Sequence, residues 1–486
     1  LVQFHQQLFT APLLHNAIPS LTTPELVSLT RELTQLHTVN IPAITETFSR
    51  YHVSIPVSAV TQLERSLLTA PLVSQVIPQL AVNQLVPFTQ DLVNLPRVSM
   101  PTLQDLNTTY ALHLDTQQLH QLSSALVSAP LIQTLIPQLP TAQLPHFTVE
   151  LVQLSSLSVP ALQDLTNTYH LSMDVPQLRQ LQQALLTAPL ISAAIPELSV
   201  TGLPRFTSEL VQLSSVSVPA LQELSSRYDL TLSAGQLAQL QQLVTTALMI
   251  QHIMPTLPAA QLPSFTNDLV SLKSPDLQAL QALAATYHLN IAVPQLTQLQ
   301  TATITAPLVS TVMPELSLTQ LPAFTQEFVS LKAPTVSALQ ELTTRYDLAL
   351  DVPQLEQLKS VIITAPLISA AIPELRSTQL PSFTQELMSL PTVSIPALQR
   401  LTTTYELNLE MPRLETLQQA LTFAPIIQAA LPEASLTQLV PVTQALVNLP
   451  SVLVPALQDL NTTYALHLDT QQLHQLSSAL VSAPLI

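Results

Sequence analysis

The same residue types return every 59 positions along all 486 residues, with no insertion anywhere. Ala11, Ala70, Ala129, Ala188, Ala247, Ala306, Ala365, Ala424 and Ala483 keep that spacing, and each of them except Ala247 precedes a proline. The eight tyrosines, Tyr51, Tyr110, Tyr169, Tyr228, Tyr287, Tyr346, Tyr405 and Tyr464, fall one to a period with none left over. Pro19, Pro78, Pro137, Pro196, Pro255, Pro314, Pro373 and Pro432 make a third register. Phe88, Phe147, Phe206, Phe265, Phe324 and Phe383 make a fourth, continued by Leu29 and Val442. Repetition at a fixed period points to a stack of similar supersecondary units, none of which can bury its apolar face alone.

The registers divide the chain into a partial repeat over 1–41, full repeats over 42–100, 101–159, 160–218, 219–277, 278–336, 337–395 and 396–454, and a partial repeat over 455–486. Residues 455–486 match residues 101–132 at every position except Ala456 for Thr102, an offset of 354, or six periods. Duplication of a six-repeat block explains that match. Because the chain starts at Leu1 and stops within a repeat, a longer parent protein is expected.

Residues 160–218 serve as the type repeat. Pro160 suits a first helical turn, and Leu162, Leu165 and Tyr169 mark one stripe of a short helix. Tyr169-His170-Leu171-Ser172-Met173 then alternates apolar and polar, as does Tyr287-His288-Leu289-Asn290-Ile291, which predicts a short strand or extended linker. Asp174-Val175-Pro176 reads as a helix start, followed by a second stripe of Leu178, Leu181, Leu185 and Ala188. Pro189 lacks an N–H and collides with the carbonyl of Leu185, so this helix is expected to kink or end there, before an apolar piece from Leu190 to Ile195 closed by Pro196. A third stripe, Phe206, Leu210 and Leu213, follows Pro204. The expected fold is all-α: an elongated tandem array of 59-residue units, each of three to four short, proline-punctuated amphipathic helices plus a short extended segment. Helices of about 8–12 residues are marginal in isolation, where about 12–15 residues are needed. Their apolar stripes therefore need cover from neighbouring repeats or from other subunits.

Composition removes several function classes. Only 9% of residues are charged, and 14 Lys and Arg against 30 Asp and Glu give a net charge of −16, so no basic surface is available to neutralise phosphates and no nucleic-acid partner is expected. Cysteine is absent, which excludes disulfides and thiolate metal sites. Every apolar run is interrupted well short of the roughly 20 residues a membrane span needs. Against 42 prolines stand two glycines, so chain reversals are expected to be wide or few. Neither Gly202 nor Gly235 lies in a phosphate loop or a calcium loop, and Gly235 holds the place of Pro176, Pro294, Pro353 and Pro412, a helix start tolerant of change. His113 and His120, repeated as His467 and His474, lack a carboxylate at metal-ligand spacing. No serine stands in a nucleophile elbow, which needs glycine. Convergent catalytic groups are poorly served by a regular array, so neither enzymatic activity nor a cofactor is expected. Asn107-Thr108-Thr109 and Asn461-Thr462-Thr463 are glycosylation sequons, meaningful only in a secreted protein.

Two readings of function follow. In the first, the chain is the backbone of a fibre or filament that presents its apolar helices to many copies of a small partner, by helix-in-groove binding. Phe88, Phe147, Phe206, Phe265, Phe324, Phe383, Leu181, Leu185, Leu210, Leu213, Tyr110 and Tyr169 are the candidate anchors, either for a partner or for the core. An aromatic residue at helical spacing among leucines is more often core. In repeat length, array length and the recurrence of anchors such as Leu181, Leu185, Phe206 and Leu210, the chain resembles the giant repeat scaffolds that bind centrin- or spasmin-type EF-hand proteins in contractile fibres and centrosomal filaments. That resemblance implies calcium-binding partners and a calcium-dependent contractile system. In the second reading the helices pack on one another as the solenoid of an extracellular fibre, coat, adhesive or storage material. An interface-coating role ranks third, for want of basic residues to meet anionic lipid.

Overall fold

A computed structural model describes residues 2–36, 39–95, 98–154, 156–199, 202–213, 216–255, 257–258, 261–272, 275–331, 335–376, 378–431, 436–449 and 452–482. Every regular element among them is an α-helix, and no strand occurs among them. Pro432 and Ala483, the last members of two registers, lie outside the described residues.

Three kinds of helix alternate, and the stretch from Val159 to Gln212 shows all three. The first, Val159–Thr168, starts at Ser158, whose hydroxyl accepts from the Ala161 N–H at 3.3 Å, with Pro160 in the first turn, where its missing N–H costs nothing. Its stripe, Leu162 and Leu165, is buried. It ends at Tyr169 in a Schellman motif: His170 N–H donates to Asn167 O at 3.0 Å and Leu171 N–H reaches back to Thr166 O at 2.9 Å.

That stop requires a left-handed residue directly after the tyrosine, and none of these is glycine. His52, Ala111, His170, Asp229, His288, Asp347, Glu406 and Ala465 take φ between 46° and 57°, whereas neither glycine has a positive φ. The expectation of wide or few reversals is thus corrected. The chain makes tight stops with ordinary L-residues and accepts a strain of about 1–2 kcal/mol at each. The alternating segment beyond is a linker and not a strand, and it leads from His170 to Asp174.

Asp174 caps the second, long helix through a reciprocal box: its carboxylate accepts from Gln177 N–H at 2.8 Å, and Gln177 Oε1 accepts from Asp174 N–H at 3.0 Å. The same box recurs at Asp115 with Gln118, Asp351 with Gln354 and Asp469 with Gln472. This helix spans Val175–Ala194, 20 residues, and continues past Pro189. Both the expected end at that proline and the expected length of about 8–12 residues are corrected. A proline inside a helix costs about 3 kcal/mol. Beyond it, however, Leu190 and Ile191 are buried, at roughly 1.5–3 kcal/mol each, so continuing the helix outweighs breaking it. Pro71, Pro130, Pro307, Pro366 and Pro425 are carried inside long helices in the same way. Termination falls to Ile195, held extended by the following Pro196. The third helix, Leu203–Gln212, buries Phe206 and Leu210. Three helices per 59 residues is the lower of the two expected counts.

The chain divides into two compact bodies. The first comprises Leu1–Gln212 with Ser226–Leu230 and Pro255–Pro263. In it the long helices Val2–Ala17, Val57–Val76, Thr116–Leu135 and Val175–Ala194 pack side by side in chain order. The first three also pack on the phenylalanine-bearing helix that follows their successor: Val2–Ala17 on Val82–Asn94, Val57–Val76 on Leu144–Gln153 and Thr116–Leu135 on Leu203–Gln212. Gln133 donates to the carbonyl of Val39, 94 residues earlier, and Val39 N–H donates to Thr141 Oγ1 at 3.0 Å.

The second body comprises Leu213–Ser225, Thr231–Met254 and Ser264–Ile486. Ala234–Ile253, Val293–Val312, Val352–Ala371, Met411–Ala430 and Thr470–Ser482 pack in the same succession. Ser310 Oγ donates to Val216 O at 3.3 Å, again across 94 residues. In this body Ile304 and Leu308 share one core with Val361, Ala365, Leu380, Phe383, Leu414 and Leu417.

Candidate functional site

The most regular side-chain constellation lies where a phenylalanine-bearing helix meets the tyrosine that ends the next helix. On Leu203–Gln212, Phe206 and Glu209 stand three residues apart and so share one face. The ring of Tyr228 meets Phe206 edge-on, with centroids 5.2 Å apart and planes at 73°. Its hydroxyl donates to Glu209 Oε1 at 2.8 Å, while Arg227 donates to Oε2 of the same carboxylate at 3.0 Å. One carboxylate is therefore closed on both oxygens.

The arrangement repeats along the chain. Phe88 with Tyr110, Phe147 with Tyr169, Phe265 with Tyr287, Phe324 with Tyr346 and Phe383 with Tyr405 are all edge-on, at 5.1–5.2 Å. Tyr110 donates to Asp91 at 2.6 Å, Tyr287 to Asp268 at 2.7 Å and Tyr405 to Glu386 at 2.9 Å. Tyr51 donates to Glu32 at 2.7 Å, although Leu29 stands in the phenylalanine register there. Burial first, and the donated hydrogen bond second, push the phenols of Tyr110, Tyr228 and Tyr346 up to about 12. Tyr169 is pushed up to about 12 by burial and by the charge of Glu150. A phenol held protonated near neutral pH and donating to a carboxylate is a donor and not a base, so the joint ties two helices together.

The candidate anchors fall almost wholly inside the cores. Phe88, Phe147, Phe206, Phe265, Phe324 and Phe383 are buried, as are Leu181, Leu185 and Leu210. Tyr110 and Tyr169 are half-buried, with the ring inside and the hydroxyl at the rim. Leu213 departs from the expectation: the helix ends at Gln212, so this residue is past the helix end and half-buried. The tyrosine–carboxylate bond was not foreseen. Its signal is an acidic residue 19 positions before Tyr51, Tyr110, Tyr169, Tyr228, Tyr287, Tyr346 and Tyr405. Tyr464 lacks both partners together, with Val442 in the phenylalanine register and Ala445 in the acidic one.

The sequon asparagines are committed to the fold. Asn107 Nδ2 donates to Leu114 O at 3.1 Å and its Oδ1 accepts from Leu114 N–H at 3.0 Å; Asn461 makes the same pair with Leu468 at 3.0 and 2.9 Å. Each amide thus joins the helix end to the linker that follows it through both its nitrogen and its oxygen. Among the described residues no three His, Asp or Glu side chains gather as metal ligands would, and no helix is long and apolar enough to cross a membrane. Two depressions, one lined by residues including Gln6, Phe9, Leu33 and Pro71 and the other by residues including Gln75, Gln121, Val149 and Gln153, contain no titratable side chain. Compared with protein-family models, curated proteins and solved structures, the chain matches none.

Proposed function

We propose that the chain is a non-enzymatic structural protein: a tandem array of 59-residue units whose apolar stripes are covered by adjacent units, serving as the self-packed scaffold of a fibre, coat, adhesive or storage material. The observation that supports it best is the burial of Leu181, Leu185, Phe206 and Leu210 within one body of the chain. Presenting such anchors to a separate partner means withdrawing each from its core, at roughly 1.5–3 kcal/mol apiece. Repeated carboxylate joints and long-helix succession also support an interior assembled from neighbour on neighbour, with stability summed over units and their interfaces.

The rival reading, a backbone decorated by calmodulin- or centrin-type EF-hand proteins, needs those same residues free. Circular dichroism and light scattering on the full chain separate the two. The self-packed scaffold is helical and melts cooperatively alone, and added EF-hand protein with calcium changes neither its helix content nor its melting. A chain that is unfolded or aggregated alone and becomes helical only with the partner and calcium sinks the proposal.

A further inference from the structure

The backbone carbonyl two residues before the first kind of helix is tied down by a long helix, but not always by the same one. Leu157 O accepts from Gln182, Val393 O from Gln418 at 2.8 Å and Val452 O from Ser477 at 2.8 Å, each donor lying 25 residues on, in the long helix of its own repeat. Val39 O and Val216 O accept instead from Gln133 and Ser310, 94 residues on, in the long helix of the next repeat. The residues 25 positions after these two account for the difference. Gln241 is turned to Thr311 Oγ1 at 3.2 Å, beside Ser310. Glu64 stands where Gln182 and Gln418 stand, and an ionised carboxylate accepts but does not donate. It takes the Ile41 N–H at the start of the helix Ile41–Arg50 and leaves Val39 O to Gln133.

We propose that Glu64 is a pH-sensitive switch between the two ties: once protonated, its O–H donates to Val39 O as the Gln182 amide does to Leu157 O, and Gln133 is released. One tie between consecutive repeats, present at neutral pH, is thereby undone on acidification, while the start of the first helix stays held by its own repeat. The inference rests on the self-packed reading above, and Val39, Glu64 and Gln133 all belong to the first body. Glu64 is half-buried. Burial pushes its carboxyl up, with the Ile41 N–H and the charge of Arg205 pulling the other way. The folded chain therefore holds this proton more tightly than the unfolded one, and the exchange falls above the ordinary glutamate value of about 4.3. The helices packed against Val57–Val76 carry His15, Glu46, Arg50, Asp91, His120, His146 and Glu150, and its own sequence adds Arg65. Glu46 pairs with Arg50, and Asp91 and Glu150 face Tyr110 and Tyr169, so the charge that acts on Glu64 is that of Arg205.

A double-variant cycle on residues 1–486, followed by circular dichroism in urea between about pH 7 and about pH 4.5, tests it. Near neutral pH, Gln133→Ala is expected to lower the urea midpoint, and that loss is expected to fade as the pH falls. In the Glu64→Gln background, where the amide donates at every pH, the same Gln133→Ala change is expected to cost little throughout. Gln182→Ala, which removes a tie with no titratable member, is expected to lose the same amount at both ends of the range. A loss from Gln133→Ala that does not vary with pH, or that is equal with and without Glu64→Gln, overturns the switch. So does the lack of any loss near neutral pH. Fading that persists in the Glu64→Gln background assigns the titration to another group and overturns it as well. A chain that is not helical on its own defeats the scaffold reading and the switch with it.

Discussion

Tyr346 donates its hydroxyl to Oε1 of Glu327 at 2.9 Å, while Oε2 of that carboxylate accepts from the neighbouring Arg345 at 2.7 Å. Phe324, three residues before Glu327, meets the Tyr346 ring at 5.2 Å and 80°. A single helix turn thus offers a ring to the apolar side of the tyrosine and a charge to its polar tip. The pairing explains why the tyrosine can end one helix and still be half-buried against another.

Apolar contact outweighs the hydrogen bond in this joint. Phe324→Ala is expected to cost about 3–5 kcal/mol, as for other buried aromatic truncations. Tyr346→Phe keeps the ring contact and loses one half-exposed bond, about 0.5–1.5 kcal/mol. Urea unfolding of the two variants, with the double variant to expose coupling, checks the order. A larger loss for Tyr346→Phe would show that the polar tip governs the joint.

The raised tyrosines set an alkaline limit. A phenol whose folded pKa is about 12 holds its proton more tightly than the unfolded chain does, where the value is near 10. Its contribution is whole below about pH 10 and is lost as pH rises toward about 12. Helix content followed by circular dichroism is expected to hold to about pH 10 and fall above it, in step with phenolate absorbance. A chain already unfolding between pH 8 and about 9 would rule out the tyrosines as the cause.

Much of this was legible in the sequence, and the rest failed for identifiable reasons. Asp174-Val175-Pro176 reads as a helix start because capping is local chemistry, and the structure starts the helix at Val175. Phe206 and Leu181 read as core candidates because helical spacing reports one face. Continuity through Pro189 was not legible, since the local rule against proline is overridden by burial of Leu190 and Ile191, a tertiary effect. The tight stops at His170 and Glu406 were hidden by the absence of glycine, the residue that usually announces them. The bond from Tyr228 to Glu209 joins residues 19 apart in sequence, a separation that no single-helix pattern reports.

The left-handed stops predict a stabilising substitution. Ala111 has φ 46° with no side-chain function to compensate. Ala111→Gly removes a steric strain of about 1–2 kcal/mol and adds about 0.5–1 kcal/mol of unfolded-state entropy. A net gain of about 0–1.5 kcal/mol is expected in urea unfolding. Ala161→Gly, inside the helix Val159–Thr168, is expected to lose about 0.5–1 kcal/mol. A loss at both positions would mean that the turn after Tyr110 is not strained.

The prolines within long helices invite the opposite exchange. At Pro189 the helix lacks one hydrogen bond, yet it has the same 20 residues as Ala234–Ile253, which has Leu248 in that register. The fold therefore does not need the ring for helix length. Pro189→Ala restores an N–H opposite the Leu185 carbonyl and relieves the clash with it, a gain of up to about 3 kcal/mol. It also frees the unfolded chain, which takes back about 0.4–1 kcal/mol. The expected net is a rise of roughly 1–2 kcal/mol in urea unfolding, accompanied by slower amide exchange over Leu185 to Ile191. No change, or a loss, would mean that packing around the half-buried Pro189 ring stabilises the core by as much as the missing bond weakens the helix.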